Sequence, residues 1–389
     1  MIKTIKNDAA KKYWSVKPLW NTGAAYMMAL SIRGPGKTTS ALSEIVIPLY
    51  WEARKKGDLK QTAYLTRYDK DISSATMSTL CDTIKCNGDG ANMIPSLTDG
   101  QYDDVIYKNG SFFLAKSDEN GLQKIEQKPF MITLSINTAG RAKRGSYPFC
   151  DLIWFDEFID LNRRYLPGEF ALFQNVVSTV ARKRGIRILM FANVIDPDCP
   201  YFDWMGLYHV REQKVGTIEC YKIGKTDHCN AVEIIKTKKD GRLQSESRQS
   251  NDYLFAFEDP RLKVMTDDGW AVGQYPTLTK DYKMRDVAGR FFVRYKERLI
   301  EGDIVSTESD QYIYFHTSID PLWGIDEDYD LIYSLEYSTK PNHRRRLDLS
   351  FSHAEDIIRL LMMSEKVFYC DNYVGNAIEN FMRDAKASA

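Results

Sequence analysis

At 389 residues the chain is longer than one core usually organises, and two domains are expected. Its 43% hydrophobic and 12% aromatic content excludes a disordered chain, and 53 basic against 53 acidic residues excludes a nucleic-acid coat held by bulk charge. Any contact with DNA or RNA must come from local basic patches.

In chain order, "MIKTIKNDAAKKYW" carries no apolar core of signal-peptide length. No later run approaches the roughly 18 apolar residues of a membrane span, so no membrane association is expected. "AAYMMALSI" (24–32) reads as a buried strand entering a glycine loop. "TTSALSEIVIPLYWEARKKG" (38–57) has helical spacing and a glycine stop, with a kink expected at Pro48. "TAYLTR" (62–67), "FMITLSIN" (130–137), "DLIWF" (151–155) and "IRILMFAN" (186–193) are short continuous apolar runs, the pattern of a parallel sheet covered on both faces. "VIYKNGSFFLA" (105–115) places Asn109-Gly110 between alternating apolar residues and predicts a hairpin. "GEFALFQNVVSTVARKR" (168–184) predicts a helix.

These elements make an α/β domain over 1–205. The region 206–250 reads as a linker or lid, because "IIKTKKDGRLQSESRQSND" (234–252) is polar and strand-poor. The remainder, 251–389, reads as a smaller α/β domain: β-like "RFFVRYKERLI" (290–300) and "DQYIYFHTS" (310–318), helical "SHAEDIIRLLMMSEK" (352–366), strand-like "VFYCDN" (367–372) and helical "VGNAIENFMRDAK" (374–386). Seven scattered cysteines without a CxxC pair suggest reduced thiols. Cys220, His228 and Cys229 lack a fourth ligand at zinc-like spacing.

"SIRGPGKTTS" (31–40) approaches the phosphate-loop pattern G-x-x-x-x-G-K-[ST], with Ser31 where its first glycine belongs and Pro35 inside the loop. The loop's N–H groups and the helix that follows present positive potential to phosphate. Arg33, Gly34, Gly36, Lys37, Thr38 and Thr39 are the candidate nucleotide-binding residues, with Lys37 on the β/γ-phosphates and the Thr38 hydroxyl on Mg²⁺. "DLIWFDEF" sets Asp156 at the end of a buried strand, at the mouth of an α/β sheet, where a second Mg²⁺ ligand is needed. Glu157 then polarises the attacking water. The bland alternative is an acidic helix cap after a strand. Arg182 and Arg184 close the helix before "IRILMFAN"; cations favour helix ends in any case, and the functional alternative is an arginine finger lent to a neighbouring subunit. Asn193 ends the next strand, where it can sense the γ-phosphate or the water. Lys143, in the basic loop "GRAKRG" (140–145), acts across an interface or on DNA, or is simply solvated. Together the motifs predict an Mg-dependent P-loop NTPase. The rivals are a nucleotide kinase, a helicase-like enzyme, and a DNA-binding scaffold with a relic nucleotide site.

The landmarks "RGPGKT", "LTRY", "AKRGSYP", "IWFDEFI", "ARKR", "FAN" and "PYF", in this order from 31 to 202, resemble the DNA-packaging ATPases of φ29-like podophages. Weaker likeness runs through "DGRL" (240–243) to "FYCDNYVGNAIENFMRD" (368–384). The resemblance implies an ASCE-type P-loop ATPase with a mostly parallel sheet, followed by a smaller RNase H-like domain that has lost its nuclease. It implies a homo-oligomeric ring, a pentamer, in the host cytoplasm and transiently on the portal of a prohead. There ATP hydrolysis at subunit interfaces drives double-stranded DNA, and some relatives add a packaging RNA. Carried over residue by residue, Glu157 is the catalytic glutamate, Arg182 the finger in trans, Lys143 a second interface residue, and Asn193 the coupling residue. No two-metal nuclease is expected, because "RFFVRYKER" and "QYIYF" offer no clustered carboxylates before Glu297. "HRRR" (343–346) and "KTKKDGR" (236–242) are candidate basic surfaces, or plain solvated faces. Unlike better-known relatives, the loop begins with Ser31 and not glycine; Ser31→Gly is expected to leave turnover largely intact.

Overall fold

The computed structural model describes residues 2–7, 13–31, 35–86, 90–117, 123–138, 140, 145–160, 164–193, 199–224, 226, 228–235, 275–278, 282–308, 310–318 and 324–387. The chain divides into two compact units, Met1–Tyr253 and Leu254–Ala389. Among the described residues no helix is long and apolar enough to cross a membrane.

The first unit is built on one sheet. Its strands are β1 (Ile2–Lys6), β2 (Tyr26–Leu30), β3 (Gln61–Thr66), β4 (Asp104–Lys108), β5 (Ser111–Ser117), β6 (Gln123–Ile125), β7 (Met131–Ser135), β8 (Cys150–Phe155), β9 (Arg187–Ala192), β10 (Thr217–Lys222) and β11 (Cys229–Ile234). The order is β1-β10-β11-β2-β9-β8-β3-β7-β5-β4, with β6 on β5. From β11 to β7 every neighbour is parallel. These middle strands are the apolar runs, and both faces of β3, β8 and β9 are largely buried. The predicted hairpin is β4–β5, and Asn109 and Gly110 both take positive φ (51° and 75°), as a primed two-residue turn demands.

Two expectations change. The boundary at 205 moves, because β10 and β11 belong to the first sheet and β11 lies parallel beside β2. Their sequences hid them: "TIECYK" and "CNAVEI" carry Glu219, Asn230 and Glu233, all buried and therefore invisible to an apolar-run criterion. The rest of the supposed linker, 236–250, lies outside the described residues, as do 251–274 at the start of the expected second domain. The helix after the glycine loop also does not simply kink at Pro48. It passes through Lys37–Ala41, a π-helical turn Leu42–Val46, and Ile47–Lys55. The π turn takes up the register just before the donorless proline.

The second unit has a sheet of β12 (Val287–Tyr295), β13 (Arg298–Ser306), β14 (Gln311–His316), β15 (Ile332–Ser334), β16 (His343–Arg344) and β17 (Val367–Tyr369), ordered β16-β15-β12-β13-β14-β17. β12, β13 and β14 form an antiparallel meander, and β15 and β17 join its two sides in parallel. Residues of the helices His353–Met363 and Asn372–Ala387 share a core with Phe291, Val293, Ile300, Ile304, Ile313 and Phe315. Gly302 is required there, since a Cβ would meet the Phe291 ring at 2.5 Å.

Candidate active site

The site forms where the parallel strands end. β2 delivers Ser31 to the loop, and Lys37 opens the helix on its other side. Gly36 caps that helix at φ 86°, a left-handed geometry that suits glycine. The chain ahead of β2 folds back over the loop: Trp14 N donates to Pro35 O at 3.1 Å, and the Tyr13 ring lies 3.6 Å from where a Gly36 Cβ would stand. Lys37 is buried, and its ammonium donates to the buried Ser31 Oγ. Thr38 and Thr39 sit half-buried on the first turn. Arg33, Gly34 and Lys143 lie outside the described residues.

Asp156 and Glu157 follow β8 directly. Tyr64 Oη donates to Asp156 Oδ2 at 3.3 Å, and Glu157 N to Asp156 Oδ1 at 3.1 Å. Burial, then the charge of Glu157, pushes the Asp156 carboxyl up to about 6, while Lys37 pulls it down. The Lys37 ammonium is therefore within electrostatic reach of this carboxylate. Glu157 does not continue the strand. It adopts φ 53°, and its exposed side chain accepts from Asn193 Nδ2 at 2.9 Å. Asn193 follows β9, which lies between β2 and β8. Lys37, Asp156, Glu157 and Asn193 thus gather on one edge of the sheet.

Arg182 does not join them. The helix Glu169–Ala181 leaves the Asp156 edge and runs 13 residues, about 20 Å, back toward the start of β9. Arg182 follows it at φ 39°, exposed, with Nη2 donating to Gly145 O at 2.7 Å. Arg184 is tied down more fully, to Tyr147 O at 2.7 Å, Pro148 O at 2.5 Å and Val180 O at 2.8 Å.

Three solved structures are similar. They are the N-terminal domain of the DNA packaging ATPase from bacteriophage phi29 (20% identity, TM-score 0.44, 59% of this chain and 99% of that one), the phi29 viral genome packaging motor assembly (16%, 0.48, 96% and 100%), and the phi-28 DNA packaging motor (17%, 0.40, 97% and 97%). No family model and no curated protein matches the chain. At such identities and scores the function has to be read from the residues of the site.

Sequence reading missed several of those residues. Tyr64 reaches Asp156 from β3. Ser40 Oγ, Ser15 Oγ and Val16 N all donate to Glu44 Oε2, at 2.8, 2.7 and 3.0 Å, fixing the loop helix to the segment before β2. Arg67 and Glu169 form a buried ion pair beneath Glu157. Only "LTRY" hinted at the arginine, since its partners lie about a hundred positions away.

The second unit carries its own carboxylates, against expectation. Glu301 and Asp303 on β13 face one side of the sheet with His316 on β14, and their ligand atoms lie within 4.8 Å of one another. The strand was overlooked because "RLIEGDIVS" interrupts its apolar residues with Glu301, Gly302 and Asp303. Asp303 Oδ2 accepts from Tyr282 Oη at 2.5 Å and lies 3.0 Å from His316 Nε2, whereas Glu301 Oε2 and His316 Nδ1 are buried without a hydrogen-bond partner among the described residues. The basic run at 343–346 is also largely neutralised: Arg344 pairs with Glu355, and Arg346 with Asp348 at 2.7 Å.

Proposed function

We propose that this chain is an ATP-hydrolysing subunit of a viral DNA-packaging motor, which uses Mg-ATP to drive double-stranded DNA through a portal into a prohead. The observation that carries the ATPase part is the meeting of Lys37, Asp156 and Glu157 at the C-terminal edge of one parallel sheet. The strand β9 between the loop strand and the Asp156 strand, with a glutamate directly after Asp156, fits an ASCE-type arrangement. The packaging part rests on the sequence landmarks from 31 to 202.

The residues fit a triphosphate and a divalent cation. A buried ammonium opens the loop helix, and a carboxyl held near 6 by burial and a like charge gains from a cation beside it. Arg33, Gly34, Gly36, Lys37 and Thr39 would bind the phosphates, and Thr38 and Asp156 would hold Mg²⁺. The metal supplies neutralisation of the charge that develops on the transferred phosphoryl group. Glu157 orients a water and accepts its proton at the carboxylate, and Asn193 steadies that carboxylate. What supports a finger in trans is the length of the helix Glu169–Ala181, which keeps Arg182 at the far edge from its own Asp156. Lys143 is proposed for the same interface. The second unit is read as an RNase H-like α/β domain that grips DNA or docks on the portal, and nuclease activity is not part of the proposal. The ring is read as a homopentamer, with or without a packaging RNA.

Mixing Lys37→Ala with Arg182→Ala subunits tests the reading. Hydrolysis well above the sum of the two variants is expected, because each restores what the other lacks. Wild-type turnover of Mg-ATP that survives Lys37→Ala and Glu157→Gln would sink the ATPase assignment. Variants that are each inactive but never complement would sink the finger alone. Negative-stain images with ATP should display rings.

A further inference from the structure

Arg67 follows β3 and is 7% exposed, yet it contacts neither of the acidic side chains of the site. Its Nε donates to Glu169 Oε2 at 2.9 Å and Oε1 at 3.1 Å. Its Nη1 donates to Glu157 O at 3.2 Å, and Nη2 to Phe158 O at 2.7 Å. The guanidinium lies 5.2 Å from the Tyr165 ring centroid and 5.9 Å from that of Phe155. Glu169 is fully buried and also accepts from Leu166 N at 2.8 Å and Tyr201 Oη at 2.7 Å. From the other side, Phe158 N donates to Phe191 O at 3.1 Å.

We infer that Arg67 is the positioning residue for Glu157. This rests on the ATPase reading and goes one step further into it. Two consecutive carbonyls, of Glu157 and Phe158, are captured by one planar fork. That fixes the orientation of the peptide between them, and with it the turn that includes the left-handed φ of Glu157. The turn matters because strand alternation would send successive side chains to opposite faces of the sheet. Here the chain instead leaves the strand, and the Glu157 carboxylate reaches Asn193 beside Asp156. The fork is held by Glu169, whose four hydrogen bonds leave little freedom to move. A lysine keeps the charge for Glu169 but, as a point donor, cannot bridge a carboxylate and two carbonyls in one plane.

The test is Arg67→Lys in the full chain, with Glu157→Gln and the double variant. Steady-state Mg-ATP hydrolysis and the affinity for a fluorescent ATP analogue are measured, with thermal melts as the folding control. Arg67→Lys is expected to lower kcat roughly 10- to 100-fold, the scale of a misplaced catalytic group, and to leave KM and analogue affinity nearly unchanged. In the Glu157→Gln background it should cause no further loss, because the group it positions is gone. Glu169→Gln, which keeps an oxygen acceptor for the fork, should give a smaller kcat loss of the same kind. An equal loss in both backgrounds would place the action of Arg67 elsewhere and overturn the inference, as would an unchanged kcat. If Arg67→Lys does not fold, Glu169→Gln with and without Glu157→Gln decides by the same criterion. Full turnover in Glu157→Gln would overturn the ATPase role of Glu157 itself, a different result from its loss with Arg67→Lys unaffected.

Discussion

Both units set a pair of acidic residues near the middle of a sheet, and they treat them in opposite ways. In the first, Asp156 and Glu157 stand where a strand ends, one half-buried, the other exposed, with Lys37 in electrostatic reach. In the second, Glu301 and Asp303 lie inside β13, both buried, and Asp303 is closed off by Tyr282 and His316. A carboxylate inside a strand has to be satisfied by fixed neighbours, whereas one at the strand's end can keep a place for something that comes and goes. The same residue types thus serve as structure in one unit and as candidate chemistry in the other.

Asp303→Asn tests the structural half and should have the largest effect on stability. The variant weakens two partners at once, Tyr282 Oη and His316 Nε2, at a buried position. Unfolding of the second unit should come earlier by about 1–3 kcal/mol, the cost of buried polar groups left poorly paired. Urea denaturation followed through a probe in that unit would measure it. A neutral outcome would mean that this cluster, too, is held open for another role.

How far this contrast could be read in advance depended on what each strand looked like. β2, β3, β7, β8 and β9 are apolar runs because parallel strands with two covered faces must be, and the Asp156-Glu157 pair stood out against that background. β11 and β13 were not legible, because Glu233, Glu301 and Asp303 are buried polar residues inside strands, and local pattern cannot distinguish them from loop residues. Arg67 was half legible: its place at a strand end could be read, but its partners Glu157, Phe158 and Glu169 come together only through the fold. Arg182 was legible as a helix-end cation, and only the topology puts it on the edge away from Asp156.

Asp156→Asn tests the other half. The folded carboxyl is held at about 6, above its ordinary 3.8, so the folded chain binds this proton more tightly than the unfolded one. The stabilisation from that proton is present in full below pH 4 and is lost as pH rises through 6. Asparagine has no proton to lose. The variant should therefore melt with the wild type near pH 4 and above it at pH 7 to 8, in the absence of nucleotide and metal. Adding Mg²⁺ with ATP should reverse the order at neutral pH, because only the carboxylate gains from the cation. Parallel melting curves across the whole range would mean that Asp156 is as settled as Asp303, and the contrast between the units would fail.

The smallest effect belongs to Ser31→Gly. Its hydroxyl accepts a hydrogen bond from the buried Lys37 ammonium. Losing that acceptor should cost the nucleotide-free protein about 1 kcal/mol. A phosphate would offer the same ammonium stronger acceptors, and lysine has three protons to give. The loss should then shrink once ATP is bound, and turnover should remain largely intact, as a glycine at the loop's first position would predict. Melts with and without ATP, beside a kcat measurement, separate the two states. A large fall in kcat with unchanged melting would make the serine a participant in the reaction and not a resting place for Lys37 between nucleotides.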